Sequence, residues 1–156
     1  MYREAAPRYA LVSTALGWVG ILASPRGVRR LTIPQPSPLA ALTGLGLAKG
    51  DRGSGPTLGT FPGLGRRLER YFRGERIVFP DVLDLVGTPF QMEVWGVVRT
   101  IPYGETRSYA WVAHQIERPG AARAVGQAME ANPVSIIVPC HRVIGTRGDL
   151  RGYGGP

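Results

Sequence analysis

The sequence predicts an α/β (α+β) chain in two parts, residues 1–84 and 85–156, with strands leading and helices following. Three observations predict it. Residues 9–33 read as apolar stretches broken by turn chemistry. After Gly87 the apolar spacing becomes helical, and capping residues stand at the helix starts. The chain has 156 residues, 44% of them hydrophobic, enough for one ordinary domain or two small ones.

In "YALVSTALGWVGILASPRGVRRLTI" (residues 9–33), Leu16-Gly17 and Ser24-Pro25-Arg26-Gly27 are the breaks, which predicts a three-stranded antiparallel meander. Residues 34–65 are rich in glycine and proline and predict a loop with a short helix near Leu39–Leu45. "GRRLERYFRGE" sets Leu68, Tyr71 and Phe72 at three-to-four spacing, an amphipathic helix with a basic face. "RIVFPDVLDLVG" predicts a short strand and a connector.

Thr88 with Gln91 three residues on is a capping box, and Pro89 suits the first helical position. Phe90, Val94, Val97, Val98 and Ile101 form one apolar stripe. "PYGE" ends that helix. Ser108 caps the next, with Val112 and Ile116 facing inward beside part of Tyr109 or Trp111. After the turn "ERPG", a third helix is predicted from about Pro119 to Ala131, ended by Asn132-Pro133. Helix, Pro-Gly turn, helix is the helix-turn-helix pattern. "VSIIV" (residues 134–138) predicts a short buried strand delivering Pro139 and Cys140.

Composition bounds the function. No run approaches the roughly 18 apolar residues of a membrane helix, and "MYREAAPRYALVSTALGWVG" lacks a clean apolar block and cleavage site. The expectation is a soluble, cytoplasmic protein. Cys140 is the only cysteine, so no internal disulfide can form, and with His114 and His141 it makes a poor zinc site. No metal and no cofactor are expected. The net charge is +8, carried almost wholly by arginine, with Lys49 the only lysine. Solubility with a genomic bias toward arginine is the bland account of that charge; the functional account is an anionic partner, most simply nucleic acid, which the charge alone barely favours.

Two stretches carry candidate chemistry. The third helix, "GAARAVGQAME", is mostly Ala and Gly outward, with Arg123 among them. A helix reading the major groove wants long polar side chains; a thin face suits either close helix packing or a narrow minor groove. Cys140 stands between Pro139 and His141, with Arg142 next. The nucleophile is the thiolate, which needs a nearby base or positive charge. Neighbours on extended backbone point opposite ways, so a Cys140–His141 contact needs a turn or a water. The bland alternative is an inert core thiol.

"PCHRVIG" resembles the active-site motif of the O6-alkylguanine-DNA alkyltransferases, the methylated-DNA–protein-cysteine methyltransferases. The resemblance covers the second half: "GTPFQMEVWGVVRTIPYGETRSYAWVA", "RPGAARAVGQAMEANP", "IIVPCHRVIG" and "GYGG" follow the family's order and spacing. It implies a ribonuclease-H-like α/β N-terminal domain and a C-terminal, mainly helical winged-helix or helix-turn-helix domain. It implies single-turnover transfer of an alkyl group from O6-alkylguanine in DNA, with O4-alkylthymine as a further candidate, to the protein's own Cys140. His141, through a water, would take the thiol proton; Tyr109 would donate to the guanine N3; Asn132 would brace the turn between helix and cysteine. Ala121, Ala122, Arg123, Ala124, Gly126 and Gln127 would meet double-stranded DNA in the minor groove. Arg123 would replace the flipped base. Tyr109, Met129, Val143, Tyr153 and Gly154 would line the base pocket of a protein acting as a monomer.

The family's relay is completed by a glutamate on a further helix. No residue here matches it, Asp149 being the only acidic residue after Cys140. The resemblance therefore predicts a less thiolate-rich Cys140. Two rivals stand beside it: an alkyltransferase-like protein that grips the lesion without efficient transfer, and a plain helix-turn-helix regulator.

Overall fold

Glycine and proline punctuation sets the first strands where the sequence places them. In the computed structural model, which describes residues 8–47 and 62–145, β1 (Arg8–Thr14), β2 (Gly17–Ser24) and β3 (Gly27–Leu31) form an antiparallel sheet in that order. Gly17, at φ +134°, closes the first turn. A Cβ there would stand 2.6 Å from the Gln35 carbonyl oxygen, because Trp18 and Gln35 exchange backbone hydrogen bonds of 2.8 Å.

Helix α1 (Pro38–Gly44) starts at Ser37, whose hydroxyl accepts from the Ala40 amide. It buries Ala41 and Leu45 against β2. Helix α2 (Pro62–Tyr71) packs on β1 through buried Leu64 and Leu68. Each of these buried leucines contributes about 1.5–3 kcal/mol relative to exposure.

The strand predicted from "RIVFP" does not form. Residues 75–82 follow no ladder, and the segment instead makes one parallel bridge, Val28 to Leu83. Apolar residues alone do not make a strand; the hydrogen bonds to β3 come beyond this run, where the Val28 amide donates to the Val82 carbonyl and the Asp84 amide donates to the Val28 carbonyl, both at 2.9 Å. Asp84 anchors the segment end. Its carboxylate accepts from the Ser24 hydroxyl and, at 2.8 Å, from Arg29 Nε. Those two hydrogen bonds hold it below the usual carboxylate range.

The chain divides into two compact units, Met1–Leu85 and Val86–Pro156. The second opens with α3 (Pro89–Arg99), and both halves of the Thr88/Gln91 capping box are made. The predicted stripe buries Val94, Val98 and Ile101, and also Trp95, which lies outside it. Trp95 is drawn in by a polar contact: its Nε1 donates 2.8 Å to the Ala128 carbonyl. Next come β4 (Arg107–Ser108), α4 (Tyr109–Gln115) and α5 (Ala122–Glu130). The Ser108 hydroxyl caps α4 by accepting from the Trp111 amide.

Helix α4 ends in a Schellman motif made without glycine. Glu117, at φ 58°, donates to the His114 carbonyl, and Arg118 donates to that of Ala113. The turn redirects the chain so that α3, α4 and α5 pack on one another around Val112, Ala113, Val125 and Ala128. Helix α5 begins at Ala122, three residues later than Pro119, since 118–121 are spent on that turn.

Candidate active site

Asn132, just past the end of α5, organises everything that follows it. Its Oδ1 accepts from the Val134 amide at 3.0 Å. Its Nδ2 donates to the Val138 carbonyl at 2.8 Å and to the Cys140 sulfur at 3.3 Å. One side chain thus ties both ends of the intervening segment.

That segment is a turn, not the predicted strand. The Val138 amide donates 3.0 Å back to the Val134 carbonyl, Ser135 bridges Val138, and Ile136 takes φ 81°. A β-branched residue in the left-handed region is strained by about 1–3 kcal/mol, and the buried Ile136, Ile137 and Val138 hold it there. The run is buried, as its apolar residues predict. Its backbone course is decided by the Asn132 side chain, which competes with any ladder for Val134 and Val138.

Cys140, His141 and Arg142 form a single 3-10 turn, after which β5 (Val143–Ile144) pairs in parallel with β4. The thiol is half-buried. Burial pushes it above its ordinary pKa, while the Asn132 amide and the main-chain N–H groups of Cys140 and His141 pull the other way. His141 is also half-buried and is held below the usual imidazole value, first by burial and then by the charge of Arg142. The pair therefore rests as a neutral thiol beside a neutral imidazole, a nucleophile and an unprotonated base.

Arg142 has a second part in this arrangement, one its place in the motif does not disclose. It donates 2.8 Å to the Ile101 carbonyl and lies 5.5 Å from the centre of the Tyr103 ring. The cysteine turn is thereby pinned to the segment after α3. The signal for it in the sequence is only an arginine in an otherwise apolar setting.

Tyr109 opens α4 directly after β4, so the β4–β5 pairing ties its backbone to the segment leaving the cysteine turn. Its ring lies against α5: a Cβ on Gly126 would stand 3.8 Å from the ring. Of the residues expected to meet DNA, the structure leaves Arg123 and Gln127 exposed, one turn apart on α5, while Ala121, Ala122, Ala124 and Gly126 are half-buried along the same helix and the residue before it. The opposite face of α5 buries Val125, Ala128 and Met129. The Met129 and Val143 side chains belong to the core, so any contact they make with a base is through their main chain or through the packing beneath it. Tyr153 and Gly154, and also Asp149, lie outside the described residues. His114 is exposed in the last turn of α4.

The arrangement offers a sulfur nucleophile, a neutral base next to it in sequence, a phenol on the neighbouring helix, and a helix with a small-residue face leading into the cysteine turn. Comparison with known proteins points the same way. The family described as 6-O-methylguanine DNA methyltransferase, DNA binding domain, matches residues 89–156. A methylated-DNA--protein-cysteine methyltransferase of Mycobacterium bovis is 59% identical over 100 residues, covering 64% of this chain and 61% of its own length. One of Salmonella typhimurium is 55% identical over 95 residues, covering 60% and 55%. The matched region thus spans less than two thirds of these curated relatives. A crystal structure of Mycobacterium tuberculosis OGT in complex with DNA superposes with a TM-score of 0.76 at 43% identity, covering 95% of this chain and 84% of that one. An O6-methylguanine-DNA methyltransferase of Pyrococcus kodakaraensis, 23% identical with a TM-score of 0.58, shares the fold.

Proposed function

The chain belongs to the O6-methylguanine DNA methyltransferase family, and on that premise we propose that it repairs DNA by direct reversal, moving the alkyl group of O6-alkylguanine onto Cys140. The observation that carries this reading is the Asn132 brace. It holds the only thiol of the chain on a tight turn directly after α5.

In this reading α5 enters the minor groove with Ala121, Ala122, Ala124 and Gly126 letting its backbone approach. Arg123 fills the place of the extruded guanine, and Gln127 lies along the sugar-phosphate edge. The base enters a pocket formed by Tyr109, the main chain of Val143, Met129, Tyr153 and Gly154. The Cys140 thiol gives its proton to His141 through a water. The sulfur then forms a bond to the alkyl carbon as the bond from that carbon to O6 breaks, and the bonding pair stays with the guanine. Tyr109 donates at N3 and neutralises the charge that develops there. The guanine anion takes up one proton by way of Tyr109 and water as His141 gives up the one it received, so the products are guanine and an S-alkylcysteine; nothing removes the alkyl group, and each molecule acts once.

A neutral His141 is free to accept a proton at neutral pH, but burial makes the thiol a weaker acid and the imidazole a weaker base, so both shifts oppose transfer in the resting site and keep Cys140 protonated there. O4-alkylthymine is the second substrate in this proposal. We read the first unit as the ribonuclease-H-like domain and α4–α5 as the helix-turn-helix of a winged-helix domain. The protein would act as a monomer on double-stranded DNA in the cytoplasm, without metal or cofactor. No helix among the described residues is long and apolar enough to cross a membrane.

Incubation with a duplex carrying O6-methylguanine, followed by intact-protein mass spectrometry, tests the proposal. One methyl is expected on Cys140 and none on Cys140→Ala. Tight lesion binding with no adduct would point to a lesion-binding protein. Binding indifferent to the lesion would point to a helix-turn-helix regulator. Relatives named as methyltransferases, together with the presence of Cys140, favour transfer.

A further inference from the structure

The charge of this chain lies mostly outside its matched DNA-binding domain. Residues 1–85 hold 12 of the 19 basic and 6 of the 11 acidic residues, net +6; residues 86–156 hold 7 and 5, net +2. Within the first unit, α2 and its last turn set three arginines in one row, with the half-buried Glu69 at its edge. Leu64 and Leu68 are buried, while Arg66 and Arg70 are exposed one turn apart. The last turn carries the path on, since Phe72 donates to Leu68 and Arg73 to Arg70, so Arg73 joins the same stripe. Spacings of three and four residues place the guanidinium stems about 5–6 Å apart along the helix.

Ion pairs with Asp84 and Asp81 account for Arg26, Arg29 and Arg67, but among the described residues none accounts for Arg66 or Arg73. Arg67 turns inward and pairs with Asp81. Arg70 meets Glu75 at 2.7 Å, but that pair is exposed, 52% and 44%, and such pairs contribute about 0–1 kcal/mol. The helix macrodipole favours a cation at Arg70 and Arg73 near the C-terminus; it gives no reason for Arg66, a full turn earlier. Among the described residues neither Arg66 nor Arg73 has an ion-pair partner. Arginine in place of lysine adds a planar fork suited to two phosphate oxygens.

From the stripe and the charge asymmetry together we infer that the exposed face of α2, Arg66, Arg70 and Arg73, is a second nucleic-acid contact that binds duplex phosphates irrespective of sequence or lesion. The choice of DNA as the polyanion rests on the function proposed above; the surface itself is built wholly from residues of the first unit. It supplies salt-dependent attraction that a nearly balanced second unit lacks, and so gathers the protein on undamaged DNA between lesions.

The test is the salt dependence of binding to an unmodified duplex, read by fluorescence anisotropy, for the full chain and for Arg66→Gln/Arg70→Gln/Arg73→Gln. Each phosphate no longer neutralised lowers the slope of log K against log salt by roughly 0.9, so the triple variant is expected to shed about 2–3 from its slope. Glu75→Gln is the complementary variant: releasing Arg70 is expected to tighten duplex binding severalfold, an outcome that misfolding cannot mimic. An unchanged slope in the triple variant, with a thermal melt like that of the parent, overturns the inference. So does loss of binding to phosphatidylserine vesicles with the duplex slope unchanged, which would assign the face to membranes. Methyl transfer to Cys140 is scored separately on the unaltered chain. A chain that takes no methyl but shows the slope change leaves the α2 surface standing and removes the repair reading.

Discussion

The Asn132 amide nitrogen lies 3.3 Å from the Cys140 sulfur and 2.8 Å from the Val138 carbonyl, so one side chain sets both the path of the turn and the position of the thiol. Asn132→Ala leaves the Val134 amide and the Val138 carbonyl without their partner and is expected to cost about 1–3 kcal/mol. Asn132→Asp keeps the acceptor for Val134 but sets a carboxylate beside the sulfur, which disfavours the thiolate. Its alkylation by iodoacetamide is expected to need higher pH than the parent. An alkylation profile that superposes on the parent's would show that the Asn132 donor does not act on the thiol.

The depressed imidazole gives a pH signature. A folded-state value below the usual 6.5 or so means that the folded form resists the proton. The contribution of His141 to stability is thus in place above about pH 6.5 and is lost as pH falls through the folded value. Cys140 runs oppositely: its contribution is present below about pH 8.5 and is lost as pH rises through the raised folded value. Thermal melts across pH are expected to show a shallower acid limb for His141→Gln and a shallower alkaline limb for Cys140→Ser. Limbs parallel to the parent's would contradict the assignment.

Arg142→Met removes the hydrogen bond to Ile101, the stack on Tyr103 and the charge beside His141. Burial is the larger cause of the His141 shift, so the imidazole is expected to recover only part of the way toward its usual value. A proton-NMR titration of His141 reads this directly; full recovery, or none, would rank the two causes differently. Loss of the anchoring hydrogen bond is expected to cost about 1–3 kcal/mol.

Gly126 faces the Tyr109 ring across ordinary van der Waals space, 3.8 Å from an added Cβ. Gly126→Ala fits there and is expected to stabilise the helix by about 0.8–1 kcal/mol, seen as a higher melting temperature. Gly126→Leu would displace the ring and is expected to slow methylation of Cys140 more than it lowers the melting temperature. Equal rates for the two variants would separate Tyr109 from the chemistry.

Trp95→Phe keeps most of the buried area but strands the Ala128 carbonyl of α5. A loss of about 1–3 kcal/mol is expected from chemical denaturation. A neutral result would mean that solvent reaches that carbonyl.

Local chemistry by itself determined a good deal. Turn residues at Leu16-Gly17 and Ser24–Gly27 delimit the meander, Thr88, Gln91 and Ser108 start their helices, and Pro-Cys-His-Arg marks the thiol as a candidate. Each of these signals acts within a few residues, so a linear reading sees it. Only the tertiary structure decided the rest. Trp95 is buried because a carbonyl 33 residues on accepts its N–H. Residues 134–138 turn because Asn132 occupies both ends of the segment. "RIVFP" forms no strand, and the chain meets β3 beyond it, where Val28 bonds the Val82 carbonyl and the Asp84 amide. In each case the deciding partner is a single polar group whose position follows from folding, and no periodicity in the sequence records where such a group will stand.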